Sequence, residues 1–249
     1  MHTLRTRFAK DIVTEFLPPS RPTKKQRVII FLDGAPSVPN KKFLLEFYSK
    51  KGFWVFHPRY RGSWESDGKF LKFPLDKDVR DILDGLKSGF TDLWSNKKIK
   101  LNPSQIFVIG GSFGGPAAII SSLDPRVTKA IAISPVIDWT KPSRVEPIDF
   151  LAKFFLTGFG NGYRPDKNAW KKIKSGKFYK AINYVDRVDE KKLMIIHAKD
   201  DKICSYVHSR KFCTTSGAKL VTLPRGGHLS SSLLLKPRLY KLITKFIKP

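Results

Sequence analysis

The sequence predicts an α/β fold, a mostly parallel sheet covered by helices on both faces. Two observations predict it. Short apolar, β-branched runs alternate along the chain with segments whose apolar residues fall at helical spacing. One glycine-rich turn, Ile109-Gly110-Gly111-Ser112-Phe113-Gly114-Gly115, is entered by a strand-like run and left by a helix-compatible one. In such sheets ligands bind at the carboxyl ends of the strands, so the chemistry is expected in loops that follow strands.

In chain order, Phe8, Ile12, Val13 and Phe16 mark residues 4–17 as a short helix stopped by Pro18-Pro19, within an N-terminal helical extension of residues 1–25. Arg27–Leu32 reads as a strand. Phe43, Leu44, Phe47 and Tyr48 mark a helix that Gly52 ends, and Phe53–His57 is a strand. Val79, Ile82, Leu83 and Leu86 show helical spacing. Gln105–Ile109 leads as a strand into the serine turn, and Gly115–Leu123 leaves it as a helix. Ala130–Ile133, Leu193–His197 and Leu220–Leu223 are further strands, and Leu239, Leu242, Ile243 and Phe246 close the chain on a helix. Residues 139–186 break the alternation with ten aromatic residues, Trp139 to Tyr184, and no clear strand. They are expected to form a cap over the strand ends, inserted between core segments 26–138 and 187–249.

The chain has 249 residues, 41% of them hydrophobic, enough for one domain with a substantial core. No run of 18 apolar residues occurs, so no membrane span is expected. No apolar leader follows the N-terminus, and only two cysteines, Cys204 and Cys213, are present. No other Cys or suitably spaced His makes them a zinc site, and a reducing cytoplasm is the expected compartment, with a disulfide between the two as the lesser alternative. The 47 Lys and Arg against 21 Asp and Glu give a formal charge of +26. That charge raises the possibility of a nucleic-acid or anionic-surface binder. The basic clusters are short, as in Lys24-Lys25-Gln26-Arg27 and Lys171-Lys172-Ile173-Lys174, and no nucleic-acid-binding motif accompanies them. No specific nucleic-acid function is therefore expected.

Gly110-x-Ser112-x-Gly114 on a strand-to-helix turn pushes a serine hydroxyl clear of the sheet and aims the N–H groups of a new helix at the same place. A serine needs a base, and the base needs a carboxylate. Among five histidines, His2 is terminal, His57 and His197 close strands as core or loop residues, and His208 falls on a helix. His228 lies in Gly226-Gly227-His228 just after the last strand, where a flexible loop can carry an imidazole to another strand end. Asp200 and Asp201 follow the strand Leu193–His197, and Asp138 is a third candidate after the strand before it. The oxyanion formed by attack on a carbonyl needs backbone donors. Phe113 N–H is one candidate, and Ala35 N–H, in Leu32-Asp33-Gly34-Ala35-Pro36, is the other. This chemistry calls for no cofactor and no metal.

With these residues placed, the chain resembles the α/β-hydrolases, and within them the catalytic domain of the prolyl oligopeptidase group. The resemblance runs from about residue 26 onward. It is carried by Gly110–Gly115, by Ile133-Ser134-Pro135-Val136-Ile137-Asp138-Trp139, by His197-Ala198-Lys199-Asp200-Asp201, by Gly226-Gly227-His228, and by Arg59-Tyr60-Arg61-Gly62-Ser63. It implies the α/β-hydrolase fold, with Ser112 as nucleophile, His228 as base and Ala35 and Phe113 as oxyanion donors. In that group the acid usually stands four residues after a strand-closing His-Gly, which selects Asp201 over Asp200. Two departures stand out: Asp33-Gly34 replaces an early His-Gly, bringing a carboxylate near the pocket, and His197-Ala198 replaces the later one. Prolyl oligopeptidases carry a large β-propeller, and the 25 or so residues before the first expected strand are too few for one. The expected activity is therefore a carboxylesterase or small-amide hydrolase acting on small esters, with a short-peptide serine peptidase as the alternative.

Overall fold

The computed structural model describes residues 2–21, 23–141, 143 and 145–248. The strands are β1 (Leu4–Phe8), β2 (Ile12–Leu17), β3 (Arg27–Leu32), β4 (Phe53–Pro58), β5 (Phe90–Thr91), β6 (Lys98–Ile99), β7 (Gln105–Gly111), β8 (Lys129–Ile133), β9 (Leu193–Ala198) and β10 (Lys219–Leu223). The helices are α1 (Lys42–Lys50), α2 (Asp76–Ser88), α3 (Gly115–Ser121), α4 (Ile148–Phe159), α5 (Ala169–Lys174), α6 (Tyr206–Ser216) and α7 (Pro237–Ile247). Eight strands form one sheet in the order β1-β2-β4-β3-β7-β8-β9-β10, and β5 pairs with β6 apart from it. From β4 to β10 every pairing is parallel; β1–β2 and β2–β4 are antiparallel.

The inner strands are apolar on both sides because both faces are covered. In β3, Val28, Ile30 and Leu32 join one apolar cluster, with Val79 and Leu83 of α2. Ile29 and Phe31 join the opposite one, with Leu44 of α1 and Ile243 of α7. The 139–186 segment adds α4, α5 and short 3₁₀ turns, and eight of its ten aromatics, all but the exposed Phe150 and Phe154, belong to or pack on the first cluster.

Residues 4–17 correct the sequence reading: they form a hairpin, not a helix. Phe8, Ile12 and Phe16 are spaced by four, which places them on one face of a helix and also on one face of a strand. The decisive residues are Ala9 (φ 46°) and Lys10 (φ 70°), whose positive φ makes the tight turn closed by Asp11 N–H on the Phe8 carbonyl at 3.1 Å. Neither is a glycine or asparagine, so no turn signal showed in the sequence. β2 then finds partners on both sides, in β1 and β4.

Candidate active site

Ser112 lies between β7 and α3 with φ 49°, a left-handed backbone that costs a non-glycine residue strain. Its neighbours are small by necessity. A Cβ on Gly110 would stand 2.3 Å from the Gly114 carbonyl oxygen, and one on Gly114 would stand 2.5 Å from the Asp33 carbonyl oxygen. Phe113 opens the helical turn, so its N–H has no acceptor within the helix. Its ring is fully buried, 4.9 Å from Trp139 and 5.8 Å from Tyr179 between ring centres. Tyr179 Oη donates to the Phe113 carbonyl at 2.6 Å and accepts the Ala117 N–H at 3.2 Å. The aromatics of the 139–186 segment therefore clamp the turn that presents the serine.

The loop after β3 crosses directly over Ser112: a Cβ on Gly34 would lie 3.2 Å from Ser112 Cβ and 3.8 Å from its Oγ. Ala35 and Ser112 line two cavities in common. One, of about 520 Å³, is walled by Phe113, Trp139, Val136, Ile137, Ile148 and Leu151. The other, of about 290 Å³, is bordered by Asp33, Ser37, Lys41, His228, Ser230 and Ser231.

His228 is carried by a loop after β10 whose Gly226 (φ 155°) and Gly227 (φ 58°) take backbone shapes open to glycine. The Asp200 carboxylate accepts the Gly227 N–H at 2.9 Å and the Gly226 N–H at 3.3 Å, and Leu229 N–H donates to Ser134 Oγ at 3.2 Å. His228 Nδ1 is 2.9 Å from Asp201 Oδ2. Asp201 Oδ1 accepts the N–H groups of Ile203 and Cys204, each at 2.9 Å. Burial opposes the Asp201 charge, but the hydrogen bonds from His197 and His228 outweigh it and hold the carboxyl well below the usual carboxylate range. Ser112 and His228 share the smaller cavity, though among the described residues no hydrogen bond joins their side chains. Such contacts commonly tighten only when substrate is bound.

The structure thus brings Ser112, Ala35, Phe113, Asp201 and His228 to the same strand ends. It does not bring Asp138 to His228: that carboxylate pairs with Lys180 at 2.9 Å and with Thr140 Oγ1 at 2.6 Å. Asp200 serves the loop backbone. Cys204 and Cys213 are both free and buried.

Sequence reasoning placed His197 at a strand end and Asp33 near the pocket, but missed the partners of both. His197, fully buried, sits 3.1 Å from Asp201 Oδ2 through Nε2. Asp33, beside Ala35, accepts from His57 Nε2 at 2.6 Å and pairs with Lys41 Nζ at 2.8 Å. Arg59 Nη1 is 2.9 Å from His57 Nδ1 and can only donate, so Nδ1 accepts and the ring proton is on Nε2, toward Asp33. Burial resists the charge on Asp33, but His57 and Lys41 outweigh it and bring its pKa down to about 2. The only sequence signal for the first was a histidine four residues before an aspartate. Nothing signalled that His57, 24 positions from Asp33, would close on it.

Among the described residues no cluster of His, Cys, Asp and Glu could hold a metal ion, and no helix is long and apolar enough to cross a membrane.

The sequence pattern of the prolyl oligopeptidase family matches residues 39–249. The uncharacterized protein YfhR of Escherichia coli O157:H7 is 23% identical over 192 residues; the match covers 76% of this chain and 57% of YfhR. The chain therefore spans little more than half the length of that relative. Among solved structures, the Pyrococcus furiosus esterase Pf2001 superposes with a TM-score of 0.70 at 17% identity, covering 99% of this chain and 90% of that one. The α/β hydrolase GrgF of Penicillium sp. sh18 gives 0.69 at 17% identity, covering 99% and 97%. The acylaminoacyl peptidase of Pyrococcus horikoshii gives 0.66 at 16% identity, covering 98% of this chain but 40% of the peptidase. These likenesses establish the α/β-hydrolase fold.

Proposed function

This chain belongs to the prolyl oligopeptidase family, and on that premise we propose that it is a serine hydrolase, most simply a carboxylesterase, that works through an acyl-enzyme on Ser112. The observation that carries the reading is a serine on a strained strand-to-helix turn sharing one cavity with an imidazole, His228, whose other face is 2.9 Å from a buried carboxylate. His228 takes the Ser112 proton as Oγ attacks the ester carbonyl. The Ala35 and Phe113 N–H groups receive the oxyanion, each donor lowering the barrier by about 2.7–4 kcal/mol. Asp201 fixes the His228 tautomer and stabilises the imidazolium. His228 then gives its proton to the leaving alkoxide, the C–O bond breaks, and water repeats the sequence on the acyl-enzyme.

The proton must be delivered from the His228 side. The leaving alcohol (or amine) therefore belongs in the smaller cavity, which His228 lines, and the acyl group in the larger apolar one beside Trp139 and Leu151. Residues 139–186 act in this reading as the cap over that acyl site. Two free thiols accord with a cytoplasmic enzyme.

Ser112→Ala is expected to lower hydrolysis of short p-nitrophenyl esters by at least about 10³-fold. Undiminished turnover in that variant removes the assignment. Family membership favours a second reading, a peptidase acting on short peptides. Side-by-side turnover of aminoacyl amides and the matching esters separates the two.

A further inference from the structure

Two imidazoles converge on one oxygen of the candidate acid. His228 Nδ1 is 2.9 Å from Asp201 Oδ2, and His197 Nε2 is 3.1 Å from the same atom. His197 Nε2 is also 2.9 Å from the Cys204 carbonyl oxygen. Both neighbours are acceptors, so Nε2 carries a proton. On the other side of the ring, Ser209 Oγ lies 2.8 Å from Nδ1. Ser209 is fully buried, and among the described residues its hydroxyl has no other acceptor, so it donates to Nδ1. The ring is thereby neutral, with its tautomer fixed and all its polar atoms satisfied.

His197 is 0% exposed and lines neither cavity, so it reaches the site only through Asp201 and the loop that carries it. An apolar side chain would fill that volume at a lower desolvation cost. The chain instead buries an imidazole and spends its single N–H on the carboxylate and on the backbone three residues beyond.

We propose that His197 is a positioning residue: its Nε2–H holds the Asp201 carboxylate in line with His228 and draws part of that carboxylate's charge away from the His228 ring. This rests on the assignment of Asp201 and His228 as acid and base. Asp201 accepts four N–H donors, two on each oxygen. Removing the one from His197 leaves more negative charge facing His228, which favours its imidazolium. The other ionisable groups near the pair are Tyr206 and His208 on α6, Cys204, Glu146 and Lys202 beside the acid loop, Asp138 and Lys141 facing His208, Asp200 and Arg225 at the His228 loop, and Asp33 and Lys41, which border the smaller cavity with His228. Substituting Ser209 changes none of these residues, whereas substituting His197 also removes its edge contact with Tyr206 and its influence on His208, so the Ser209 variant isolates the donor.

The test is an NMR titration of the His228 ring carbons in the native chain and in His197→Leu, His197→Gln and Ser209→Ala. In His197→Leu the His228 pKa is expected to rise by about half a pH unit. Ser209→Ala frees the tautomer while keeping the ring and should give a smaller rise; it carries the test if the leucine variant fails to fold. His197→Gln keeps an amide donor and should titrate close to native. Turnover of a p-nitrophenyl ester should fall about tenfold in kcat in His197→Leu with KM little changed. A His228 titration unmoved in both His197→Leu and Ser209→Ala overturns the proposal even if kcat falls, because lost packing alone lowers kcat. A chain that titrates as expected yet resists fluorophosphonate labelling at Ser112 keeps the shared carboxylate and overturns the hydrolase reading instead.

Discussion

Asp33→Asn tests whether a buried charge supports the loop over the serine. Asp33 is held between His57 Nε2 at 2.6 Å and Lys41 Nζ at 2.8 Å, and its pKa stands at about 2 against an ordinary 3.8. Each pKa unit is worth about 1.4 kcal/mol, so ionised Asp33, which faces a neutral His57 and a charged Lys41, contributes at most about 2 kcal/mol to folding. The folded value lies below the unfolded one. The contribution is therefore complete above pH 3.8 and is lost as pH falls through about 2. Asparagine keeps the shape and removes the charge. Urea unfolding of both chains at pH 6, 4 and 2.5 should give a gap of up to about 2 kcal/mol at pH 6 that narrows steadily toward pH 2.5. Other carboxylates titrate in both chains and cancel in the difference. A gap of the same size at pH 6 and pH 2.5 would refute the reasoning: asparagine would then be costing hydrogen-bond geometry, and the charge would contribute nothing.

Other substitutions separate roles that lie close together. Asp201→Asn should lower kcat/KM by about 10⁴-fold, because an amide favours the wrong His228 tautomer, whereas Asp200→Asn should cost less than about tenfold. The reverse order would move the acid to Asp200. Gly85→Ala, inside α2, gains about 1 kcal/mol of helix propensity, but its new Cβ would lie 2.3 Å from Phe8 Cδ1. That ring is held 5.4 Å from Phe90 and 6.0 Å from Phe56 between ring centres, so overpacking of about 1–3 kcal/mol should win and the urea midpoint should fall.

The alternation of strands and helices could be read because the inner strands are continuous apolar runs that only a sheet covered on both faces would bury. β3, β4, β7, β8, β9 and β10 all fall where those runs are. The strand order could not be read, since nothing local says that β3 sits between β4 and β7. At the site, the residues alone left Asp200, Asp201 and Asp138 as acids, the family spacing pointed to Asp201, and the three-dimensional geometry separates the adjacent pair. Asp201 turns inward to His228, and Asp200 turns outward to the backbone of Gly226 and Gly227. Likewise the aromatic content of residues 139–186 was plain, but Tyr179 Oη bonding to the backbone at Phe113 and Ala117 depends on a fold that closes 66 and 62 positions.

The misread hairpin and the unexplained Asp33 have a common physical cause. In the β2–β4 ladder Glu15 lies opposite His57. Glu15 pairs with Arg59 Nη2 at 2.9 Å, Arg59 donates to His57, and His57 donates to Asp33 in the loop that carries Ala35. Arg59 is 4% exposed, and a guanidinium that deep needs a carboxylate. A helix over residues 4–17 would take Glu15 out of its ladder position beside β4 and leave Arg59 without that partner. Among the described residues only Glu65 would remain, at 3.4 Å and with its side chain 44% exposed. The ion pair that anchors the Arg59 guanidinium beside His57 would be lost, and with it the support behind the donors that reach Asp33. An aspartate in this loop is thus compatible with burial only if the chain supplies a compensating cation and a line of donors behind it. Lys41 is the cation, and the N-terminal hairpin completes the line.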